Sequence, residues 1–252
     1  MGRADLLLAG EALRAGQPGR GRGRMVVLDL AGQRLVGKRA LHGGILARVL
    51  RDLYLGPGRL VDQLRLADRL RRSGIPTPEV MMIGWRTILG PICTQAILTR
   101  AIPEAQNLYE AARDEAPWRR RRIILEKSAA LVRAMHAAGF RHADLNVTNL
   151  IVGQGPDGFR LHVVDLDGGR FLDRVGRRTR LENLGRLLRS YEKWIEGSFR
   201  LSAREEILFL RRYCGDDAAL FRYLVAGLRR RRAWFRLRRA VWRRGRFSPS
   251  GG

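Results

Sequence analysis

The sequence predicts an α+β fold of two lobes: a small β-rich N-terminal lobe over residues 1–102, with strands and one helix, and a larger helical C-terminal lobe over 103–227. A basic, aromatic tail over 228–252 follows. Three observations carry this reading. Strand-like runs occupy the first part, such as Met25, Val26, Val27 and Leu28, whereas from Asn107 onward apolar residues recur mostly at helical spacing. A hairpin pattern interrupts those helices, with residues 150–152 and 161–164 as short apolar runs split by Gly153, Gly155, Pro156 and Gly158. Finally, 252 residues, 45% of them hydrophobic, suffice for one two-lobed unit with a substantial core, and no internal repeat is visible.

Taken in order, the first lobe opens with alternating glycine and arginine over residues 19–24, just before the Met25 strand. A glycine-rich turn between strands lets backbone N–H groups approach phosphates, which makes Gly21 and Gly23 candidates for nucleotide contact. The same composition also suits a linker, and its spacing departs from Gly-x-Gly-x-x-Gly. The next strand, Arg34, Leu35, Val36, Gly37, Lys38, Arg39, contains one of only three lysines among a crowd of arginines. Leu60, Val61, Asp62, Gln63, Leu64, Arg65, Leu66, Ala67 and Asp68 read as a helix, and the run ending in Arg100, Ala101, Ile102, Pro103 marks the boundary between lobes. Residues 123–138 form a second helix with Ile124, Ala130, Leu131, Ala134 and Met135 on its apolar side and Gly139 as its stop. The helix over 177–194 packs Leu181, Leu184, Leu187, Leu188 and Tyr191 into a core.

Between that glycine stop and the hairpin runs His142, Ala143, Asp144, Leu145, Asn146, Val147, Thr148, Asn149, and beyond the hairpin Val164, Asp165, Leu166, Asp167, Gly168. Phosphoryl transfer needs a carboxylate to accept the proton of the attacking hydroxyl, and hard oxygen ligands for the magnesium ion on the ATP phosphates. Asp144 fits the first role; Asn149, five positions on, and Asp165, after the hairpin, fit the second. Asn and Asp in turns commonly cap the backbone instead. It is the order of an upstream lysine, Lys38, then loop, then hairpin that points to a phosphotransferase. Lys38 would pair with nucleotide phosphates; the plainer alternative is a solvated charge near a strand end.

Lys and Arg number 49 against 24 Asp and Glu, a net charge of +25. Such an excess seeks an anionic membrane surface or nucleic acid, or else forms a solvated face. In the tail, Arg229, Arg230, Arg231 and Arg232 precede Trp234, Leu237, Val241 and Trp242, which fall close to one helical face, the composition of an interfacial helix. Each basic residue near anionic lipid contributes roughly 1 kcal/mol. Two cysteines in unrelated contexts suggest neither a disulfide framework nor a zinc site, which fits a reducing cytoplasm. The run Leu6, Leu7, Leu8, Ala9 lies between Asp5 and Glu11 and is too short for a signal peptide, and nothing reaches the length of a membrane span.

Over nearly its whole length the chain resembles the lipopolysaccharide kinase family of the protein-kinase-like superfamily. The marks are Gly21, Arg22 and Gly23; residues 36–38 followed by His42, Gly43 and Gly44; the run from Ser73 through Gly74, Ile75, Pro76, Thr77, Pro78 and Glu79 to Val80; residues 98–103; residues 136–139; the Asp144 loop; and residues 164–167. The Gly-Gly pair and the Asp-Leu-Asp-Gly form are the more specific of these. The resemblance implies a protein-kinase-like fold, Asp144 as catalytic base, Asn149 and Asp165 as magnesium ligands, Lys38 as the phosphate-binding lysine, and His142 as a structural member that orders the loop. It implies ATP as donor, with backbone near residues 98–103 meeting adenine. The acceptor would be a lipopolysaccharide inner-core sugar, 3-deoxy-D-manno-octulosonic acid (Kdo) on lipid A. That acceptor would be met peripherally at the cytoplasmic side of the inner membrane. Lipid A carries phosphates that arginines clamp in two-pronged fashion, which favours the membrane over nucleic acid as the partner of the tail. One departure stands out: where the helix should offer a Glu to Lys38, the sequence has Gln63 flanked by Asp62, with Asp68 as a further substitute. Two rival readings remain open, a kinase for another acceptor (a protein Ser or Thr, a small molecule or another glycolipid), and a pseudokinase that holds anionic lipid or RNA.

Overall fold

Alternation of inward and outward residues builds the first sheet. In β1 (Met25–Leu30) Val26, Leu28 and Leu30 turn to one face while Met25 and Val27 stay exposed, the period of two that a half-buried strand requires. β1 forms a hairpin with β2 (Gln33–Arg39), Met25 opposite Lys38 and Leu30 opposite Gln33. β2 runs antiparallel to β5 (Ile92–Arg100) with Lys38 opposite Ile97, and β5 also pairs with β4 (Val80–Leu89) and the short β3 (Tyr54–Leu55). Leu30, Leu35 and Leu98 form the buried centre, with Val26, Leu28, Met81, Met82 and Ala96 packed around them. In this computed structural model the structure describes residues 25–30, 32–40, 52–113, 118–155, 158–194 and 202–244; of residues 112, 113, 118, 119, 194 and 235–244 it describes the backbone alone.

The helix α1 (Gly58–Arg72) packs on β4 and β5 through Leu60, Ala67 and Leu70, which share one face. Leu60 and Leu70 are fully buried, worth about 1.5–3 kcal/mol each. Its end is set by Gly74, whose φ of 74° only glycine adopts without strain. Gly74 donates to the Arg71 carbonyl and Ile75 to that of Leu70, while buried Ile75 and Leu70 complete the hydrophobic half of this closing motif. Beyond it, Glu79 accepts bonds from Arg100 at 3.0 Å and pairs with Arg71 at 3.3 Å, which holds its carboxyl below the usual range. Gly74, Ile75 and Glu79 belong to the run from Ser73 to Val80 that marks the family resemblance.

Contacts divide the chain into two units, residues 1–105 with 153–168, and residues 106–152 with 169–252. In the second, β6 (Gln106–Asn107) pairs with the start of β8 (Leu150–Gly155), and α2 (Leu108–Arg113) is capped reciprocally: Asn107 Oδ1 accepts the Glu110 amide and the Glu110 carboxylate accepts the Asn107 amide. α3 (Trp118–Ala137) begins ahead of the predicted position 123, since Arg119 to Arg122 offer no apolar spacing to read, and it closes at Gly139 as predicted. Gly139 has φ of 84°, and a Cβ there would stand 2.5 Å from the Leu172 carbonyl oxygen, so no other residue fits. β7 (Phe140–Arg141) pairs antiparallel with β10 (Arg170–Phe171).

Three helices follow. α4 (Arg177–Trp194) has the predicted bounds and buries Leu184 and Leu187. α5 (Ala203–Cys214) starts with a Ser202–Glu205 capping box, and Glu205, 2% exposed, also pairs with Arg121 of α3. α6 (Ala218–Arg244) runs unbroken into the basic tail. There Arg232 bonds both Glu192 of α4, at 2.6 Å, and Glu206 of α5, at 2.6 and 3.0 Å. That arginine therefore ties three helices together and does not belong to an exposed cationic face. Trp234 is 54% exposed, while the side chains of Leu237, Val241 and Trp242 lie outside the described residues. Among the described residues no helix is long and apolar enough to cross a membrane.

Candidate active site

The loop after β7 is anchored by everything except its acidic side chain. Leu145 and Val147 are buried, Val147 donates its amide to Ser190 Oγ at 3.0 Å, and Arg186 donates to the Ala143 carbonyl. His142 Nδ1 accepts the Asp144 amide at 3.1 Å, so this imidazole orders the loop, as the sequence reading implied. Asn146 Oδ1 caps the single 3₁₀ turn Val147–Asn149, accepting the amides of Thr148 and Asn149 at 2.9 and 3.1 Å. Asn149 donates its side-chain amide to the Asp144 carbonyl at 2.9 Å, which leaves its Oδ1, a hard oxygen donor, without a bond among the described residues. The Asp144 carboxylate is exposed, with the Asn146 amide at 3.0 Å. An exposed carboxylate on a fixed backbone is what a general base requires.

Behind the loop lies a buried polar chain that the sequence did not announce. Arg180 donates to the Tyr213 hydroxyl at 3.3 Å, and that hydroxyl stands 2.7 Å from His136 Nδ1. His136 Nε2 faces Asn183 Oδ1 at 3.0 Å, and Asn183 Nδ2 donates to the His142 carbonyl at 2.9 Å. Because Asn183 gives its N–H to His142, its oxygen must accept, which makes His136 Nε2 the protonated nitrogen and Nδ1 the acceptor from Tyr213. Burial pushes His136 down to about 4. An unfolded histidine takes up its proton near pH 6.5, so the unfolded chain binds one proton more between roughly pH 6.5 and 4. This contribution to stability is complete above roughly pH 6.5 and is lost on acidification, by roughly 2 kcal/mol at pH 5 and roughly 3 kcal/mol at pH 4. Urea unfolding of the wild type and of His136→Gln at pH 7.5 and pH 5 should show the larger acid loss in the wild type; equal losses would remove His136 from this role.

In the first unit, β9 (Gly158–Val163) is held by the Val163 amide on the Pro76 carbonyl, and the chain then turns at Asp165. Asp165 has φ of 59°, in the left-handed region that costs an ordinary residue about 1–2 kcal/mol. Lys38 Nζ donates to its Oδ1 at 3.1 Å, so the structure brings these two predicted site residues together. Two positions on, Asp167 accepts Arg59 Nε at 2.6 Å on Oδ1 and Arg59 Nη2 on Oδ2, a two-pronged grip, and Gln63 Nε2 adds a third bond at 3.2 Å. The Arg59 guanidinium lies 4.8 Å from the centre of the Tyr54 ring. The helix residues left open as partners for Lys38 bond elsewhere. Gln63 bonds Asp167, Asp62 pairs with Arg65 at 3.7 Å and Asp68 with Arg72 at 2.6 Å.

Oxygen donors make up the predicted metal-binding set: the Asp165 carboxylate, and the Asn149 amide oxygen, which has no bond among the described residues. Both suit magnesium. Gly21 and Gly23, predicted to contact the nucleotide, lie outside the described residues, as do His42, Gly43 and Gly44.

Comparison with known proteins decides the family. The model of the lipopolysaccharide kinase (Kdo/WaaP) family matches residues 9–213. The chain belongs to that family. It is accordingly a kinase, a phosphotransferase that uses ATP. A 3-deoxy-D-manno-octulosonic acid kinase of Xanthomonas axonopodis pv. citri is 33% identical over 181 residues, covering 69% of this chain and 68% of the relative. One from Pasteurella multocida is 27% identical over 173 residues, covering 66% and 68%. Among solved structures, WaaP in complex with acyl carrier protein superposes with a TM-score of 0.57 at 22% identity, over 91% of this chain and 96% of that one. That likeness establishes the protein-kinase-like fold.

Within the family frame, Arg59 is the functional candidate that sequence reasoning missed. A signal for it existed: Arg59 and Gln63 lie one helical turn apart, and Asp-Leu-Asp places a second carboxylate, one that must find a donor, beside the aspartate predicted to bind metal.

Proposed function

We propose that this kinase transfers the γ-phosphoryl group of ATP to a hydroxyl of Kdo attached to lipid A. The observation that carries the reading is the Asp144 carboxylate, exposed on a loop whose backbone is fixed by His142, Asn149 and Arg186, in a chain whose relatives are named for phosphorylating that sugar. Asp144 orients the acceptor hydroxyl and takes its proton as the sugar oxygen bonds to the γ-phosphorus and the bond to the bridging oxygen of ADP breaks. Lys38 carries its ammonium to the α and β phosphates. Asn149 and Asp165 would hold a magnesium ion, which when bound would neutralise charge on the phosphoryl oxygens.

In this reading residues 1–102 serve the nucleotide, residues 103–227 carry the catalytic loop, and residues 228–252 meet the membrane. Gly21 and Gly23 would approach the phosphates. The exposed Arg229 and Arg230 support a peripheral contact with anionic lipid on the cytoplasmic side of the inner membrane.

The test is incubation of the purified protein with ATP, magnesium and Kdo-bearing lipid A, with mass spectrometry of the lipid. One added phosphate on the Kdo residue is the expected result. ATP turnover that leaves Kdo unmodified while another glycolipid or a protein hydroxyl is phosphorylated would overturn the acceptor.

A further inference from the structure

The metal-binding loop carries two carboxylates two residues apart, and each has its own cation: Asp165 has Lys38 and Asp167 has Arg59. We propose that Arg59 is a positioning residue for phosphoryl transfer, holding Asp165 in its left-handed conformation by gripping Asp167. The proposal rests on Asp165 serving as a magnesium ligand.

The argument starts from strain. A φ of 59° is one that Asp adopts more readily than most side chains but still at some cost, so contacts that fix the neighbouring chain help to hold it. Lys38 alone is a weak restraint, since the Lys38–Asp165 pair is more than two-fifths exposed on both sides. Asp167 is held far better. A guanidinium fork fixes both carboxylate oxygens in one plane, and the Gln63 amide adds a third donor from the next turn of the same helix face. Burial works against the charge of Arg59, and its bonds to Asp167 outweigh it, leaving its pKa raised. Tyr54 lies against the guanidinium and limits where it can swing.

The same geometry explains the departure from the expected pattern. A Glu in place of Gln63 would face the Asp167 carboxylate at hydrogen-bond distance, and two like charges there repel. The helix therefore presents a cation and a neutral amide, and it reaches the metal loop through Asp167. Missing Glu and doubled Asp are two halves of one arrangement, with the polarity of the helix contact reversed.

Arg59→Ala, Arg59→Lys, Asp167→Ala and the double Arg59→Ala/Asp167→Ala variant test it. Two quantities are read: the urea midpoint of unfolding, and the magnesium concentration giving half-maximal ATP binding and half-maximal turnover. Arg59→Ala should raise that concentration by about tenfold and lower kcat by about 10- to 100-fold, with binding of ATP in EDTA unchanged. Arg59→Lys, which keeps the charge but not the fork, should fall between, and it guards against simple misfolding. In both quantities the double variant should be no worse than the worse single one, because the two residues act through each other. Unchanged magnesium dependence in Arg59→Ala, or fully additive losses in the double variant, overturns the clamp. A wild type that binds no magnesium–ATP overturns the proposed site as a whole, a result distinct from failure of the clamp alone.

Discussion

Asp144→Asn is expected to lower turnover by about 10²- to 10⁴-fold while leaving the unfolding transition where it is. The substitution is isosteric, and the loop does not depend on the carboxylate. Its backbone is held by the Asp144 amide on His142 Nδ1, by Asn149 on the Asp144 carbonyl and by the buried Leu145 and Val147. Among the described residues the side chain hydrogen-bonds Asn146, and an amide can replace that bond. What Asn cannot do is take the proton of a hydroxyl at neutral pH. The KM for ATP should therefore stay within about twofold of the wild type, and the loss should fall on kcat, the pattern of an interaction made in the transition state. A variant that keeps a tenth or more of wild-type turnover with the same acceptor would remove Asp144 from the role of base. The contrast is Asn183→Ala, which would cut the buried chain beneath the loop and lose folding and activity together.

Local order carries much of this architecture. The Leu181, Leu184, Leu187, Leu188 and Tyr191 spacing gave both ends of α4, and Gly139 closed α3, because periodicity and a left-handed stop are properties of neighbouring residues. The sequence reading also paired the right elements around the hairpin, and the structure puts Lys38 on Asp165 across 127 positions. The start of α3 was hidden because Arg119 to Arg122 show no apolar face. Arg59 was hard to read for a different reason. Its partner is 108 positions away, and nothing in a helix pattern says which acidic residue a surface arginine will meet. Arg232 teaches the same lesson in the other direction: composition placed it in a cationic tail, whereas Glu192 and Glu206 claim it inside the second unit. The chain through Arg180, Tyr213, His136 and Asn183 was equally out of reach, since each member reads alone as an ordinary core or surface residue.

The second large effect expected is at Asp165. Asp165→Ala should reduce turnover by about 10³-fold or more, equivalent to roughly 4 kcal/mol of transition-state stabilisation, because on the proposed reading Asp165 would supply the anionic oxygen ligand to the nucleotide-bound magnesium. Stability should change little. The ion pair with Lys38 is exposed enough to contribute only about 0–1 kcal/mol, and φ of 59°, which Asp tolerates better than Ala, adds a cost of about 1 kcal/mol. Asp165→Asn sharpens the test. Asn tolerates the left-handed region and keeps an oxygen, so the loop geometry survives while one ligand charge is lost. Turnover should then be intermediate, recovering in part as magnesium is raised. Asp167→Asn removes a charge from the same loop without touching the ligand, so its deficit should track that of Arg59→Ala. If Asp165→Ala retains activity within tenfold of the wild type, Asp165 is not the magnesium ligand. If Asp165→Asn and Asp167→Asn respond identically to magnesium, the loop has no division of labour between ligand and anchor. The distinct bonds to Lys38 on one carboxylate and Arg59 on the other predict that they will not.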